Sequence, residues 1–347
     1  MAAKIIIRIL LLALILWGLN RVYDATLFHK DLLQKSEKVV EVIQSQEITD
    51  VFYFAESSNF NTRAEDSIQQ SISEITNFFY PSLKIRAINM AATHAGIFRN
   101  WLEVIDLKRK RPSAVVITMN LRSFDATWIN SRLETQLQET TVLTWPYLKI
   151  VNRFLLSLQA FDNKTEQQRE QDMFRDWERT RLEFPFPFPY QTVKEWDNAM
   201  AMGGHVKPDG TWDQAKIELA CHYIKAYAFN IKDNNPRVKD FDGIAEWCSR
   251  NGMPLYLNLL AENVQYADSL VGKELVFLMR QNRDFLVKRY NKGNCRVIDN
   301  LELVSGKEFT DQTWTTEHYG YKGRMIIAKN LAESLKGQFN NSYIKAY

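Results

Sequence analysis

Val51-Phe-Tyr-Phe-Ala-Glu-Ser-Ser-Asn-Phe60 is the stretch that decides the fold. Its first five residues form an unbroken apolar run, short and rich in aromatic side chains, which is the pattern of a strand covered on both faces. Such a strand belongs to a parallel sheet, and the sequence downstream supplies the remainder of one. Residues 64–79 carry helical periodicity, 83–89 read as a second strand, 97–107 as a second helix, and Ala114-Val-Val-Ile-Thr-Met119 as a third strand. After an interruption the alternation resumes with a helix over 238–251, a strand over 254–260, a long helix over 267–290 and a strand at Arg296-Val-Ile-Asp299. Five strands in this succession predict an α/β fold, a flavodoxin-like three-layer sandwich with a parallel five-stranded sheet. Ligands are then expected beyond the carboxyl ends of the strands, where the strand order reverses.

The interruption, residues 127–233, shows helical stretches, many aromatic residues and no clear strand, and reads as a helical insertion. Within it Phe184-Pro-Phe-Pro-Phe-Pro-Tyr190 excludes a helix, because each proline lacks an N–H and fixes its own φ. Its role is either to cover the sheet or to line a groove with aromatic rings. The α/β domain is accordingly expected over residues 49–126 and 234–337.

The N-terminus is of another kind. Ile5 to Leu19 is apolar except for Arg8, follows Lys4, and ends at Asn20-Arg21. No small-x-small cleavage site and no lipid-accepting cysteine follows, so residues 1–23 read as a retained membrane anchor. The apolar run is short against the ~20 residues that cross a bilayer, which requires Arg8 to reach toward the headgroups. The flanking charges place the N-terminus inside the cell and the rest of the chain in the periplasm or outside. Residues 24–48 have a helix-like pattern with mixed charge and are expected to form a stalk.

Across the whole chain of 347 residues, 44 Lys and Arg face 41 Asp and Glu, a net charge of +3 that argues for no nucleic-acid partner. The basic run Lys108-Arg-Lys-Arg111 reads as a solvated loop. Three distant cysteines, Cys221, Cys248 and Cys295, lack metal-ligand spacing and read as buried apolar fillers. No P-loop, dinucleotide-binding glycine pattern or zinc motif occurs, so no cofactor and no metal is expected.

Two segments carry the chemistry. Ser57 and Ser58 follow the first strand at its carboxyl end; taken alone, such a pair caps a helix. Near the other end of the chain, His318 stands in Thr315-Thr-Glu-His-Tyr-Gly-Tyr-Lys-Gly-Arg324, a glycine-bearing turn that leads into a helix. The two could meet across one sheet as nucleophile and base.

Phe52-Tyr-Phe-Ala-Glu-Ser57 resembles the first block of the SGNH/GDSL hydrolase superfamily, in which an apolar strand runs into Gly-Asp-Ser and that serine is the nucleophile. Here Ala55 and Glu56 replace the Gly and Asp. The resemblance implies Gly96, in the segment after the second strand, as an oxyanion-binding backbone amide, and Asn120, after the third, as the side-chain donor. His94, beside Gly96, reads as a polar residue at a helix start or as a second base. The final block, normally Asp-x-x-His-Leu-Asn-x-x-Gly, is similar to His318-Tyr-Gly-Tyr-Lys-Gly323 in its His-to-Gly spacing. Thr315 stands where the aspartate should, so another group must orient the imidazole. Asp311 is placed first, Glu317 is the alternative third member, and a backbone carbonyl would also serve.

The resemblance therefore implies a serine-dependent esterase or O-acyltransferase working through an acyl-serine. Coupled with the anchor, it suggests an acylated cell-envelope polysaccharide or similar ester as substrate. Two other readings stay open: a catalytically inactive SGNH-like protein for carbohydrate binding or envelope assembly, and a membrane scaffold whose insertion docks an envelope protein partner.

Overall fold

The computed structural model describes residues 2–45, 47–89, 95–107, 110–161 and 164–344. The chain opens with helices α1 (Ala2–Thr26) and α2 (Phe28–Gln44) and enters strand β1 (Val51–Ala55). Helices α3 (Ser57–Phe60) and α4 (Ile72–Phe79), strand β2 (Ile85–Asn89), helix α5 (Ala95–Leu107) and strand β3 (Ala114–Met119) follow. Six helices come next: α6 (Ala126–Ile129), α7 (Arg132–Leu143), α8 (Lys149–Ser157), α9 (Glu166–Arg179), α10 (Val193–Ala201) and α11 (Gln214–Tyr227). The chain ends with α12 (Pro236–Arg250), β4 (Leu255–Leu259), α13 (Val264–Leu270), α14 (Lys273–Tyr290), β5 (Cys295–Asp299) and α15 (Tyr321–Ile344).

The chain forms two compact units. One comprises Met1–Glu47, His94–Arg111 and Arg132–Thr165; the other comprises Ile48–Thr93, Pro112–Ser131 and Glu166–Tyr347. The stretch 127–233 is thus divided, α7 and α8 joining the unit that holds α1 while α9 to α11 join the unit that holds the sheet.

The sheet is five-stranded, in the order β2-β1-β3-β4-β5, and every pairing is parallel. This is an α/β architecture consistent with three layers. β1, β3 and β4 are buried along their whole length, and their apolar sequences are interrupted only by Thr118 and Asn258, which both donate to the Tyr53 hydroxyl. Val51, Tyr53 and Ala55, with Ala114, Val116, Tyr256 and Ile298, pack in one core with Ile72 and Ile75 of α4 and Ile327, Leu331 and Leu335 of α15. The alternate residues Phe52, Phe54, Val115, Ile117 and Leu257 are equally buried on the opposite face. The strand order reverses between β1 and β3, so the crevice beyond their carboxyl ends is where a ligand site is expected.

Two boundaries differ from the sequence expectation. α4 starts only at Ile72, where Ser71 and Glu74 form a reciprocal capping box. In the irregular segment 61–70 before it, the carbonyls of Ile68 and Gln70 accept from Arg324 and those of Arg63 and Asp66 from the Gln69 amide. The helix expected over 267–290 is interrupted at Gly272, whose φ of +119° closes one helix and admits the next. The proline-rich run packs ring on ring instead of extending freely: Phe184 stacks within 4.4 Å of Phe188 and 5.8 Å of Phe277, and Phe188 meets Trp196 at 4.7 Å. A bridge between Arg181 and Thr192 closes its base.

In the other unit, α1 is a 25-residue helix long and apolar enough to cross a membrane. Its last turns join α2, α7 and α8 around Tyr23, Phe28, Leu32, Val40 and Leu143. The stalk expected over 24–48 is α2, four residues shorter at each end and part of this packed cluster. His94 and Lys108-Arg109 lie outside the described residues.

Candidate active site

Ser57 is the first residue of α3, directly beyond the carboxyl end of β1. β1 ends there because Glu56 turns the chain with extended backbone as the N-cap of α3. First-turn N–H groups of a helix have no carbonyl one turn back, so the amide at Ser57 points outward from α3. Ser57 Oγ lies 3.0 Å from His318 Nε2. Ser58 is buried, and its hydroxyl has no hydrogen-bond partner among the described residues. The serine that meets the histidine is Ser57.

His318 owes its place to a local fold-back. Phe309 and Tyr319 form an antiparallel bridge, Thr310 N donates to His318 O at 2.9 Å, and Gly320 N donates to Glu308 O at 2.7 Å. Residues that face each other across this bridge are eight to twelve apart in sequence, which returns Asp311 to His318. Asp311 Oδ2 lies 3.0 Å from His318 Nδ1, and the Thr316 hydroxyl donates to the same carboxylate oxygen. A carboxylate on Nδ1 fixes the tautomer with hydrogen on Nδ1 and a lone pair on Nε2, the form that can take a proton from serine. The pair is only partly enclosed, His318 being 21% and Asp311 38% exposed in their side chains.

Glu317 goes elsewhere. Extended backbone turns its side chain away from that of His318, and it forms a two-pronged ion pair with Arg122, both contacts at 2.5 Å. Arg122 lies in the single 3₁₀ turn Leu121–Phe124 that follows β3, so this buried pair ties the histidine loop to the end of the central strand. Of the two acids considered from sequence, Asp311 touches the imidazole and Glu317 braces the loop.

Asn120 stands at the end of β3, as expected, but its side chain is engaged. Oδ1 accepts from Ser123 N at 2.7 Å, capping the 3₁₀ turn, and Nδ2 donates to Glu56 Oε2 at 2.8 Å. One Nδ2 hydrogen is thereby committed, which leaves the other for any further acceptor. Gly96 is the second residue of α5, half-buried, in the unit that does not contain Ser57.

Below the serine, acids crowd one arginine. Glu56, Glu262 and Glu317 are all buried, as is Arg122. Burial and the Glu317 charge push the Glu56 carboxyl well above the usual range, opposed by Arg122 and the Asn120 hydrogen bond. Glu262 is pushed up for the same two reasons and accepts a 2.6 Å hydrogen bond from Tyr227. Nearby, Asp125 caps α6 through Trp128 N at 2.8 Å, and its burial raises the carboxyl to about 8.

Two contributors, Asn61 and Arg324, were not anticipated from the sequence. Asn61 Nδ2 lies 3.0 Å from His318 Nε2 and so shares that nitrogen with Ser57. Arg324, fully buried, donates to Ile68 O, Gln70 O, Tyr319 O and Asp66 Oδ2 at 2.6 to 3.1 Å. It thereby clamps the segment after the serine to the segment carrying the histidine. Gly323 is obligatory for space: a Cβ there would come within 2.9 Å of Tyr319 Cβ and 3.1 Å of Val304 Cγ1. Its spacing from the histidine is the signal that sequence offered; a buried arginine with carbonyl partners leaves none.

No protein-family model and no curated protein matches this chain. Among the described residues no cluster of His, Cys, Asp and Glu is arranged to hold a metal ion.

Proposed function

We propose that this protein is a serine-dependent acyl ester hydrolase or O-acyltransferase of SGNH/GDSL type, on a flavodoxin-like three-layer framework. The observation that carries the reading is the continuous chain Ser57 Oγ, His318 Nε2, His318 Nδ1, Asp311 Oδ2, with both links at 3.0 Å. It lies where an open parallel sheet presents ligands.

In the proposed reaction His318 removes the Ser57 proton as the oxygen attacks an ester carbonyl. Asp311 stabilises the imidazolium that forms, and that imidazolium then protonates the leaving alkoxide. The acyl-serine passes to water or to another hydroxyl, with the same histidine as base. The Ser57 amide and the remaining Asn120 hydrogen are the proposed oxyanion donors. With α1 as a single-pass anchor, the catalytic domain faces the periplasm or exterior, and an acylated envelope polysaccharide is the substrate class that location favours.

The second reading, a sugar-binding or assembly protein without turnover, is favoured by the Asn61 amide on His318 Nε2 and by the Asn120–Glu56 bond, which engage groups that catalysis needs free. Hydrolysis of a small acetyl ester separates the two. Turnover by the full chain, lost in Ser57→Ala and in His318→Ala, supports the enzyme; absence of turnover in a folded wild type supports the second reading.

A further inference from the structure

One face of α8 carries large apolar side chains that stand mostly in solvent. Val151, Phe154 and the C-cap residue Leu158 recur at the spacing of a single helical stripe, and Tyr147 stands in the bend just before the helix, edge-on to Trp145 at 5.9 Å. Tyr147, Phe154 and Leu158 are 62%, 61% and 61% exposed, and Leu148 at the edge of the stripe is 44% exposed. The opposite face is committed to the fold. Asn152 is fully buried and donates to the carbonyls of Leu143 and Trp145 at 3.2 and 2.8 Å. Ile150 packs on the cluster around Tyr23, and Arg153 pairs with Asp31 at 3.0 Å. The helix is therefore held rigidly with a row of large apolar side chains turned outward, a costly arrangement in water.

Its attachment point says what covers that row. The first turn of α8 is bound to the end of α1: Ile150 N donates to Asn20 Oδ1 at 3.1 Å, and Lys149 pairs with Asp24. The apolar run from Ile5 to Leu19 rises about 22 Å, less than the ~30 Å hydrocarbon layer it would cross. Once that run lies in a bilayer, Asn20 and Asp24 stand within the headgroup layer, and α8 is bonded to them there.

We propose that α8 is an interfacial helix that lays Tyr147, Phe154 and Leu158 into the lipid headgroup boundary beside the anchor. The inference rests on reading α1 as a membrane span. It accounts for an aromatic and aliphatic stripe with Lys149 and Arg153 at its flanks, the composition of helices that lie in a membrane surface. A second lipid contact fixes the tilt and rotation of this unit on the membrane, which a lone spanning helix leaves open.

The test uses the full chain in nanodiscs of equal parts phosphatidylcholine and phosphatidylglycerol, with one nitroxide at Phe154→Cys or Leu158→Cys. Leu12→Cys in α1 and Lys239→Cys in the sheet unit are the lipid and water references. The three native cysteines are buried, and labelling of the unsubstituted chain gives the background. Collision with oxygen relative to a water-soluble nickel chelate is expected to be several-fold higher at 154 and 158 than at 239, approaching the value at 12. If 154 and 158 match 239 while 12 reads lipid, the α8 proposal is wrong and the anchor stands. Shielding of 154 and 158 from both reagents means that protein, a second copy or a partner, covers the stripe, and equally overturns it. If 12 is open to nickel, the anchor reading fails and takes this inference with it.

Discussion

Replacing Asp311 by asparagine keeps the side chain's shape and removes its charge. When the Ser57 proton moves to His318, an imidazolium forms 3.0 Å from the Asp311 carboxylate oxygen. Unit charges with centres about 4 Å apart attract by about 4 kcal/mol at an effective dielectric near 20. Asp311 is 38% exposed, and water screening reduces that to about 2 kcal/mol, or about 30-fold in rate. A second loss follows when the asparagine amide, rather than its oxygen, faces Nδ1, because the imidazole is then held in the tautomer that cannot accept the serine proton. A deeply buried acid in this role is worth about 10⁴ in kcat. For the half-enclosed Asp311 the expected fall is about 10²–10³ in kcat with little change in KM. The assay is p-nitrophenyl acetate hydrolysis by the full chain in nanodiscs, with Glu317→Gln in parallel. Glu317→Gln leaves Arg122 buried beside a neutral partner and should cost about 3–5 kcal/mol of stability, read as a lower melting temperature, with the smaller loss of turnover. Wild-type kcat in Asp311→Asn, or a greater loss in a folded Glu317→Gln, refutes the assignment of the acid.

Other consequences are open to measurement. Burial pushes the Asp125 carboxyl up to about 8 from its ordinary value of 3.8, so the folded state holds a proton that the unfolded state has released between those values. Stability should therefore fall by about 1.4 kcal/mol per pH unit as pH rises through that window; denaturant melts of Asp125→Asn, which keeps the cap, should show a flatter profile over it. Gly323→Ala forces a methyl against Tyr319 and Val304 and should cost about 1–3 kcal/mol, with turnover falling because Tyr319 adjoins His318. Arg324→Met strands the Asp66 carboxylate and three carbonyls; a loss of about 3–5 kcal/mol in chemical denaturation checks it.

Strands were the most legible part of this chain because β1, β3 and β4 are covered on both faces and so are apolar apart from Thr118 and Asn258. The half-covered edge strand β2 and the start of α4 were less so. The helical pattern runs back to residue 64, yet the carbonyls of Ile68 and Gln70 are bound to Arg324, which lies far away in sequence. Ser57 and His318 were legible from their places at the end of a strand and the start of a helix. Asp311 was one of two acids left open, and the Phe309–Tyr319 bridge decides between them through backbone geometry that no local pattern encodes. That Glu317 points away from His318 follows from alternation in extended chain, which is legible from its place next to the histidine. Its pairing with Arg122, and the Asn61 contact, depend on which loops the sheet brings together.

The central claim concerns one oxygen atom. Treating the full chain with a fluorophosphonate and locating the adduct by peptide mass spectrometry tests it directly. The account predicts a phosphonyl group on Ser57, absent from Ser57→Ala, retained in Ser58→Ala and formed far more slowly in His318→Ala. A folded wild-type protein that takes no label, or takes it on Ser58, contradicts the account.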